Sequence, residues 1–415
     1  MTDGPAAASY CATPDPHERL LTLDGLRGVA VMAILLANLP GFALPDPAYS
    51  NPMAWGGKRP IDIAVWFLTE TFVSGRMRGL FSLLFGASTL LVIDRADAAG
   101  LNGASVHLRR MAVLFLLGLI HLTFIWTGDI LTHYALVGVV ALAFVGLTPR
   151  TLCWTAAGLA GLSMLLGGLE CFGLMMAATR DTPQMAALWD SYQAAFGTPP
   201  AARLAPEIAA MRGPWSVATG FRLENNGNPL LDLIQIGPDT LSVMLLGMAA
   251  LKSGFLTGSW SRQAYRRWAV FGLGLTIPVY AATAGAVMAS GYDVRTVSLV
   301  ALFLNVPFRL IGTMGYAALI LLLLRSGGWW TIRIAAAGRM AFTNYIATSI
   351  VMTAIFYGHG LGQFARWNRA DLYLLAPAMW ALMLLWSKPW LDRFGQGPLE
   401  RVWRLASRGL AGRIT

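Results

Sequence analysis

Residues 109–134 read RRMAVLFLLGLIHLTFIWTGDILTHY, and this stretch decides the fold. Two arginines precede an apolar run that carries His121 and breaks at Gly128 and Asp129. A second apolar run follows the break, with Tyr134 in its first turns. A helix needs about 20 mostly apolar residues to cross a bilayer, and the first run with its flanks reaches that length. We therefore expect two consecutive membrane-spanning helices with an ionisable histidine inside the bilayer, where such groups are usually kept for function.

The composition extends this expectation to the whole chain. Of its 415 residues, 56% are hydrophobic and only 13% are charged, whereas soluble domains carry about 25% charged residues. The sequence thus predicts an all-α polytopic membrane protein whose helices pack in one bundle. The net charge of +10 is typical of cytoplasmic loops that face anionic lipid. Membrane lipids are therefore expected partners, and nucleic acid is not.

Hydropathy predicts about ten spans. They are residues 24–44, 76–93, 107–126, 130–148, 151–178, 236–256, 267–290, 297–324, 332–357 and 372–388. Residues 61–74 are apolar but short, so we interpret them as an interfacial or re-entrant helix, or as the start of one long helix over 61–93. Lys and Arg lie mostly on the side that holds both ends of the chain, which predicts cytoplasmic termini.

These spans divide the chain into five regions. Residues 1–21 form a polar cytoplasmic tail, and residues 22–178 hold the first five spans with the interfacial helix. Residues 179–235 form an extracytoplasmic loop region, and residues 236–390 hold the other five spans. Residues 391–415 form a cytoplasmic tail with an amphipathic helix.

Two of the predicted spans place a cation and a polar group on one face. Residues 11 apart on a helix differ by about 20° in direction and about 16 Å in depth. This spacing aligns Arg27 with Asn38, with Asp24 nearby in angle, and aligns Arg110 with His121. The geometry suits a long anionic ligand that enters from the cytoplasm. A local Asp24–Arg27 ion pair and the positive-inside rule explain the same arginines without a ligand.

His121 has two interpretations. It is either a general base for a hydroxyl or amine, for which a pKa near neutrality is suitable, or a structural side chain bonded to a neighbouring helix. The residues alone favour the structural role. Asp129 either orients a histidine, with His133 four residues further on, or caps the following helix, which is the favoured role. These three side chains match no zinc signature, so no metal is expected.

Other polar side chains inside the predicted spans need partners. Arg309 lies in the middle of the eighth span, and Glu170 of the fifth span lies at a similar depth. Arg339, Thr343 and Asn344 form a polar cluster on the ninth span, for which interhelical hydrogen bonding is the favoured interpretation.

Several sequence segments together resemble one family. They are LDGLRGVAVMAILLAN (23–38), FSLLFG (81–86), RR…LGLIH…WTGDIL..YA (109–135) and the pair GRMAFTNY (338–345) with GPLERVWR (397–404). As a set they resemble the YeiB-like bacterial inner-membrane proteins, whose C-terminal half is the domain of unknown function 418. The resemblance covers the chain from about residue 19 to residue 405, and it implies a multi-pass protein of the bacterial inner membrane.

That family is grouped with the transmembrane acyltransferases. Those proteins look similar in the Asp-x-x-Arg-Gly start of the first span, here Asp24, Arg27 and Gly28. The resemblance implies transfer of a short acyl group from cytoplasmic acyl-CoA, and in particular acetyl-CoA, to a hydroxyl or amine. The acceptor would be an envelope glycan or a small molecule.

The resemblance also implies roles for individual residues. Arg27, Arg109 and Arg110 would bind the CoA phosphates, His121 would be the base, and Asp129 would orient it or accept a hydrogen bond. A transporter or flippase for a small anionic or amphipathic solute remains the alternative, with the same polar groups forming its pathway. A binding protein without turnover is a third option, and a homodimer is compatible with each of them.

Overall fold

A computed structural model describes residues 16–179, 182–324 and 327–409. Within these ranges the chain forms α-helices with short 3₁₀ and π-helical turns and no strand, which confirms the all-α prediction. The helices are α1 (Pro16–Ala43), α2 (Pro60–Phe72), α3 (Arg76–Ala98), α4 (Gly103–Phe124), α5 (Leu131–Ala141), α6 (Pro149–Ala177), α7 (Pro183–Phe196), α8 (Ala201–Arg212), α9 (Trp215–Asn225), α10 (Pro229–Gln235), α11 (Gly237–Lys252), α12 (Arg262–Ala289), α13 (Val294–Leu299), α14 (Val306–Leu323), α15 (Trp329–Arg339), α16 (Ala341–Phe356), α17 (Arg369–Leu372), α18 (Leu375–Phe394) and α19 (Pro398–Gly409).

In the part of the chain that the structure describes, seven helical stretches are long and apolar enough to cross a membrane. They are Leu21–Ala43, Pro60–Ala98, Gly103–Phe124, Pro149–Ala177, Arg262–Ala289, Val306–Leu323 and Arg369–Phe394. The chain is therefore a multi-pass membrane protein. An eighth candidate consists of α10 and α11, which meet at a bend of 67°. Shorter apolar helices cover Leu131–Phe144, Val294–Leu304 and Ala341–Phe356.

Two of the predicted continuous spans are broken helices. The span over 297–324 is divided into α13, a π-helical turn at Val300–Leu304, and α14. Pro307 lies in the first turn of α14, where its missing N–H is tolerated, although it would interrupt an unbroken helix. The span over 332–357 breaks at Met340, where the carbonyl oxygen of Ala337 accepts the Met340 backbone N–H and also the Asn344 side-chain N–H at 3.0 Å.

Glycines bring α1 and α15 into backbone contact. A Cβ atom at Gly28 would overlap the carbonyl oxygen of Ile334, and a Cβ atom at Gly338 would overlap that of Asp24. Small residues of this kind let helices approach closely within a membrane, where packing and hydrogen bonds replace the hydrophobic effect. The close approach fixes the start of α1, and with it the Asp24 carboxylate, against the end of α15.

The segment between α6 and α11 folds back onto the ends of the long helices. Arg222 of α9 is fully buried and donates from Nε to the carbonyl oxygen of Thr123 at 2.9 Å. Arg212 of α8 donates from Nε to the carbonyl oxygen of Phe364 at 2.7 Å. These bonds attach α8 and α9 to the end of α4 and to the segment after α16.

A hydrogen bond from the backbone to a carboxyl group joins α8 to the turn that follows α1. The backbone N–H of Asp46 donates to Glu207 Oε1 at 3.1 Å. Burial, with a smaller contribution from the Asp46 carboxylate, raises the pKa of Glu207 to about 7. The Glu207 carboxyl therefore stays protonated over a pH range in which it is ionised in the unfolded chain.

We expect this difference to make stability fall as pH rises. Between about pH 4.5 and pH 7 the folded state binds more protons than the unfolded state, so the free energy of unfolding decreases with increasing pH. Glu207→Gln keeps an acceptor for the Asp46 N–H but has no carboxyl group to titrate. The titration of Glu207 changes the free energy of unfolding by about 2 kcal/mol across that pH range. The midpoint of thermal unfolding should thus fall less in Glu207→Gln than in the wild type between about pH 5 and pH 8. An identical fall in both proteins would contradict the assignment.

Candidate functional site

A cavity of about 430 Å³ lies between α1, α3, α4, α15, α16 and α19, and we term it the basic cavity. Among the described residues, four arginines line it: Arg27, Arg95, Arg110 and Arg339. Arg27 is paired with Asp24 at 2.9 Å and also donates to Ser88 Oγ. The remaining guanidinium groups give the cavity an excess of positive charge, which favours an anionic ligand.

The helix α19 forms one wall of the basic cavity. The Arg110 guanidinium lies over the Trp403 ring, 4.1 Å from its centroid. The Trp403 indole N–H in turn donates to the backbone oxygen of Arg110 at 2.9 Å. Glu400 accepts hydrogen bonds from the backbone N–H and the hydroxyl of Thr343, which attaches α19 to α16. The arginine is thereby held in place by an aromatic contact, which leaves its N–H groups free of a carboxylate partner.

The helix break after α4 separates the basic cavity from a second cavity. Gly128 and Ile130 line the second cavity, which measures about 260 Å³, whereas Leu131 and Tyr134 line the basic cavity. We term the second space the polar cavity and residues 128–134 the partition. On α1 the two cavities lie at different depths, because Arg27 lines one and Asn38 lines the other.

A histidine and a carboxylate are buried at the partition. His121 is 1% exposed, and its Nδ1 lies 2.8 Å from Asp129 Oδ1. The other oxygen, Asp129 Oδ2, accepts the backbone N–H of Thr132 at 2.8 Å and so satisfies one free donor in the first turn of α5. Asp129 therefore has both of the roles considered for it. Because a carboxylate only accepts, Nδ1 carries the proton and Nε2 is left as the basic nitrogen.

Among the described residues, His121 Nε2 is buried without a hydrogen-bond partner, as are His133 Nδ1 and eleven other polar side-chain atoms. Each such atom needs an explanation, and a free Nε2 is compatible with a base that receives a proton. The Tyr345 ring, which lines the basic cavity, lies 5.3 Å from the His121 ring, and its hydroxyl donates to the Gly128 carbonyl oxygen at 3.4 Å. His121 and Asp129 line neither cavity, but Tyr345 of the basic cavity and Gly128 of the polar cavity lie next to them.

The histidine that contacts Asp129 is His121 and not His133, which was the neighbour considered for it on α5. The loop between α4 and α5 turns Asp129 back toward α4, where it meets His121. The ring of His133 instead lies on α5 with Nε2 2.9 Å from Thr240 Oγ1 of α11. The described residues hold no cluster of His, Cys, Asp or Glu that is arranged to bind a metal ion.

Arg309 lines the polar cavity, and its carboxylate partner is Asp239 and not Glu170, which lies at a similar depth in the predicted spans. Helix α11 places Asp239 beside this arginine, and Arg309 Nη1 lies 2.5 Å from Asp239 Oδ2. Arg78 contacts the same oxygen at 2.6 Å. Glu170 lies further along the neighbouring groove of α6.

Two other candidates lie outside the cavities. Arg109 is one residue, and therefore about 100° of helix rotation, away from Arg110, and it donates to Ser105 Oγ at 2.9 Å instead of lining the basic cavity. Asn344 is buried, donates to Ser387 Oγ and accepts the Trp386 indole N–H. This is the interhelical hydrogen bonding that the sequence favours, whereas Arg339 of the same motif lines the basic cavity.

Comparison with known proteins places these segments in a family. The chain is 32% identical to the Uncharacterized protein YeiB of Escherichia coli (strain K12) over 407 residues, which cover 95% of this chain and 98% of YeiB. The profile described as "Protein of unknown function (DUF418)" matches residues 250–409. The chain belongs to the YeiB-like DUF418 family. A further relative, the Uncharacterized protein YxaH of Bacillus subtilis (strain 168), is 30% identical over 404 residues, or 94% of each chain.

A third relative matches a smaller part of the chain. The Uncharacterized 39.9 kDa protein in amylase 3'region of Bacillus acidopullulyticus is 39% identical over 128 residues, or 31% of this chain. No solved structure matches the chain. The family assignment therefore comes from sequence over nearly the full length, and the chemistry must be argued from the site.

Proposed function

We propose that this YeiB-like protein is a membrane acyltransferase of the transmembrane acyltransferase superfamily. It moves a short acyl group from acyl-CoA to a hydroxyl or amine of an envelope glycan or small molecule. The observation that supports the proposal most directly is the buried His121–Asp129 pair. Neither residue lines a cavity, but the pair lies next to Gly128 of the polar cavity and to Tyr345 of the basic cavity.

The basic cavity suits the acyl-CoA donor. The nucleotide end of CoA carries several phosphate charges, and guanidinium groups bind phosphate through paired, charge-assisted hydrogen bonds. Arg27, Arg95 and Arg110 provide such groups at one end of the cavity. Leu114 and Leu131 line the part toward the partition, where the uncharged pantetheine arm and the acyl group would lie. The volume of about 430 Å³ is within the usual range for small-molecule sites.

The chemistry at the partition is a single acyl transfer. The acceptor oxygen or nitrogen attacks the thioester carbonyl carbon while His121 Nε2 takes the acceptor proton. The carbon–sulfur bond then breaks, and the CoA thiolate leaves with the proton returned by the imidazolium. Asp129 holds the imidazole in the required tautomer and stabilises its charged form.

The proposed topology has ten spans with both termini in the cytoplasm, in the bacterial inner membrane. It counts the bent pair α10–α11 and the helices at α5 and α16 as spans in addition to the seven long ones. The excess of Lys and Arg on one side supports this orientation. The basic cavity then faces the compartment that contains acyl-CoA.

The alternative is a transporter or flippase for a small anionic or amphipathic solute. The observation that favours it is the same pair of cavities, which lie on opposite sides of one thin partition, as in an alternating-access protein. Covalent turnover discriminates the two, because a transporter leaves acetyl-CoA intact.

Acetyl-CoA binding is the first test of the proposed function. A ligand at 100 times its dissociation constant stabilises a protein by about 2.7 kcal/mol, so acetyl-CoA should raise the thermal midpoint of the purified protein. Arg110→Ala and Arg95→Ala should each weaken binding by about tenfold or more, because each removes a charge-assisted phosphate contact. The matched control is Arg109→Ala, which removes the same charge one residue away from the cavity.

Two results would contradict the donor assignment. One is the absence of any shift in the wild type at millimolar acetyl-CoA. The other is an equal loss of binding in Arg109→Ala and Arg110→Ala, which would indicate a diffuse effect of charge. Arg110→Ala also removes the contact with Trp403 of α19. Arg95→Ala tests the loss of charge without that change, because Arg95 lines the cavity from α3.

A further inference from the structure

A groove of about 900 Å³ adjoins the polar cavity. It lies between α6, α7 and the start of α14, with Leu169 and Gly173 of α6 and Tyr192 of α7 in its walls. Arg78 and Arg309 line both the groove and the polar cavity. The two spaces therefore meet at these arginines.

The side of the groove formed by α6 lies at the surface that faces lipid. This helix presents large apolar side chains outward: Leu162, Leu165, Leu169 and Phe172 are 43–60% exposed. Exposed leucine and phenylalanine along a membrane-spanning helix contact the hydrocarbon region. Since Leu169 belongs both to this outward face and to the groove wall, the groove borders the bilayer.

The junction of groove and polar cavity has an excess of positive charge. Arg78 and Arg309 share a single carboxylate oxygen of Asp239. Arg76 is fully buried and donates from Nη2 to the Glu70 carbonyl oxygen, while its Nε and Nη1 have no hydrogen-bond partner among the described residues. Glu70 lines the polar cavity, where it accepts the Ser74 hydroxyl. Arg78 and Arg309 line the cavity as well, and Arg76 and Asp239 lie behind its wall, so three guanidinium groups and two carboxylates surround this place, which favours an anion.

Arg76 lines neither the polar cavity nor the groove, but it lies directly behind the cavity wall. Its guanidinium lies 3.7 Å from the centroid of the Tyr280 ring, and Tyr280 lines the polar cavity. In the groove itself, by contrast, Glu170 and Asp239 balance Arg78 and Arg309. The charge excess therefore lies on the cavity side, and the groove is neutral and partly apolar.

We propose that the acceptor is a membrane amphiphile with a phosphate-bearing headgroup. The headgroup binds in the polar cavity beside Arg78 and Arg309, with Arg76 behind the cavity wall, and the hydrocarbon chain lies in the groove along α6. The amphiphile reaches the site sideways from the bilayer. This inference rests on the proposed function, because it names the acceptor class of that reaction.

Binding of a simple amphiphile tests the inference without any acyl-CoA. The probe is lysophosphatidylglycerol, added to the full-length protein in a neutral detergent, with the thermal midpoint as the readout. Lysophosphatidylglycerol should stabilise the protein, and lysophosphatidylcholine, which has no net charge, should bind at least about tenfold more weakly. Glycerol phosphate, which has the anion but no chain, should also bind at least about tenfold more weakly.

A matched pair of substitutions on α6 locates the chain. Gly173→Trp fills the groove, where the nearest atom to a new Cβ is Leu188 Cδ2 at 3.8 Å. Gly161→Trp adds the same ring where nothing lies within 4 Å. Gly173→Trp should lose at least about tenfold in affinity for lysophosphatidylglycerol, and Gly161→Trp should keep the wild-type affinity.

Each contrary outcome removes one part of the inference. Unchanged binding in Gly173→Trp would overturn the groove as the site of the chain. Equal binding of the two lysolipids would overturn the anionic headgroup, and equal binding of glycerol phosphate would identify a free phosphate compound as the ligand. The acetyl-CoA test is separate: stabilisation by acetyl-CoA without stabilisation by the lysolipid would leave the acyltransferase intact and overturn this acceptor.

Discussion

His121→Gln should reduce acyl transfer by about 10²- to 10⁴-fold, the usual contribution of a general base. Glutamine keeps an N–H that can donate to Asp129 but has no basic nitrogen, so the partition should keep its shape. The thermal midpoint and the stabilisation by acetyl-CoA should therefore stay near the wild-type values. The measurement is the release of free CoA thiol from acetyl-CoA by membranes that contain the protein.

His133→Gln is the matched control, because His133 is a half-buried histidine of the partition that contacts Thr240 instead of a carboxylate. Its turnover should remain within a few-fold of the wild type. Normal CoA release by His121→Gln would show that His121 is not the general base. If His121→Gln unfolds instead, the histidine is a structural side chain, which is the role that the residues alone favoured.

Gly86→Ala and Gly247→Ala should each lower the free energy of unfolding by about 1–3 kcal/mol, as overpacking in a close-packed interior does. These glycines face each other's helices across the contact between α3 and α11. A Cβ atom at Gly86 would overlap the Met244 carbonyl oxygen, and one at Gly247 would overlap the Leu83 carbonyl oxygen. The obstacle is backbone in both cases, so the two helices must separate.

Gly158→Ala on α6 is the control for this effect. Nothing lies within 4 Å of a Cβ atom at that position, and alanine in a helix is about 0.5–1 kcal/mol more favourable than glycine. The thermal midpoints of Gly86→Ala and Gly247→Ala should therefore lie below that of the wild type, and the midpoint of Gly158→Ala should lie above it. Equal midpoints for Gly86→Ala and Gly158→Ala would show that the α3–α11 contact is loose.

The parts of the fold that follow from local periodicity could be predicted from the sequence. The long apolar helices, the break at Gly128 and the shared face of Arg110 and His121 all come from spacing along one helix. The break at Met340 has no such signal, because glycine contacts with α1 and the Asn344 side chain determine it. The pattern of residues along one helix cannot show which other helix packs against it.

The same reason explains the site residues that sequence analysis missed. Arg95 looks like an ordinary cation at the inner end of a span, and Trp403 looks like a membrane-facing residue of an amphipathic helix. Both line the basic cavity because distant segments meet there. The choice of His121 over His133 as the partner of Asp129 likewise depends on the path of a short loop.

Because α19 forms one wall of the basic cavity, the cavity depends on how far biosynthesis has advanced. The cavity is bounded by Arg27 from the first helix and by Trp403 from the last described one, so it is complete only after nearly the whole chain has been synthesised and inserted. A half-made chain carries three of the arginines but neither Arg339 nor the indole that holds Arg110. Ligand-dependent stabilisation would then distinguish fully inserted protein from chains that stopped early.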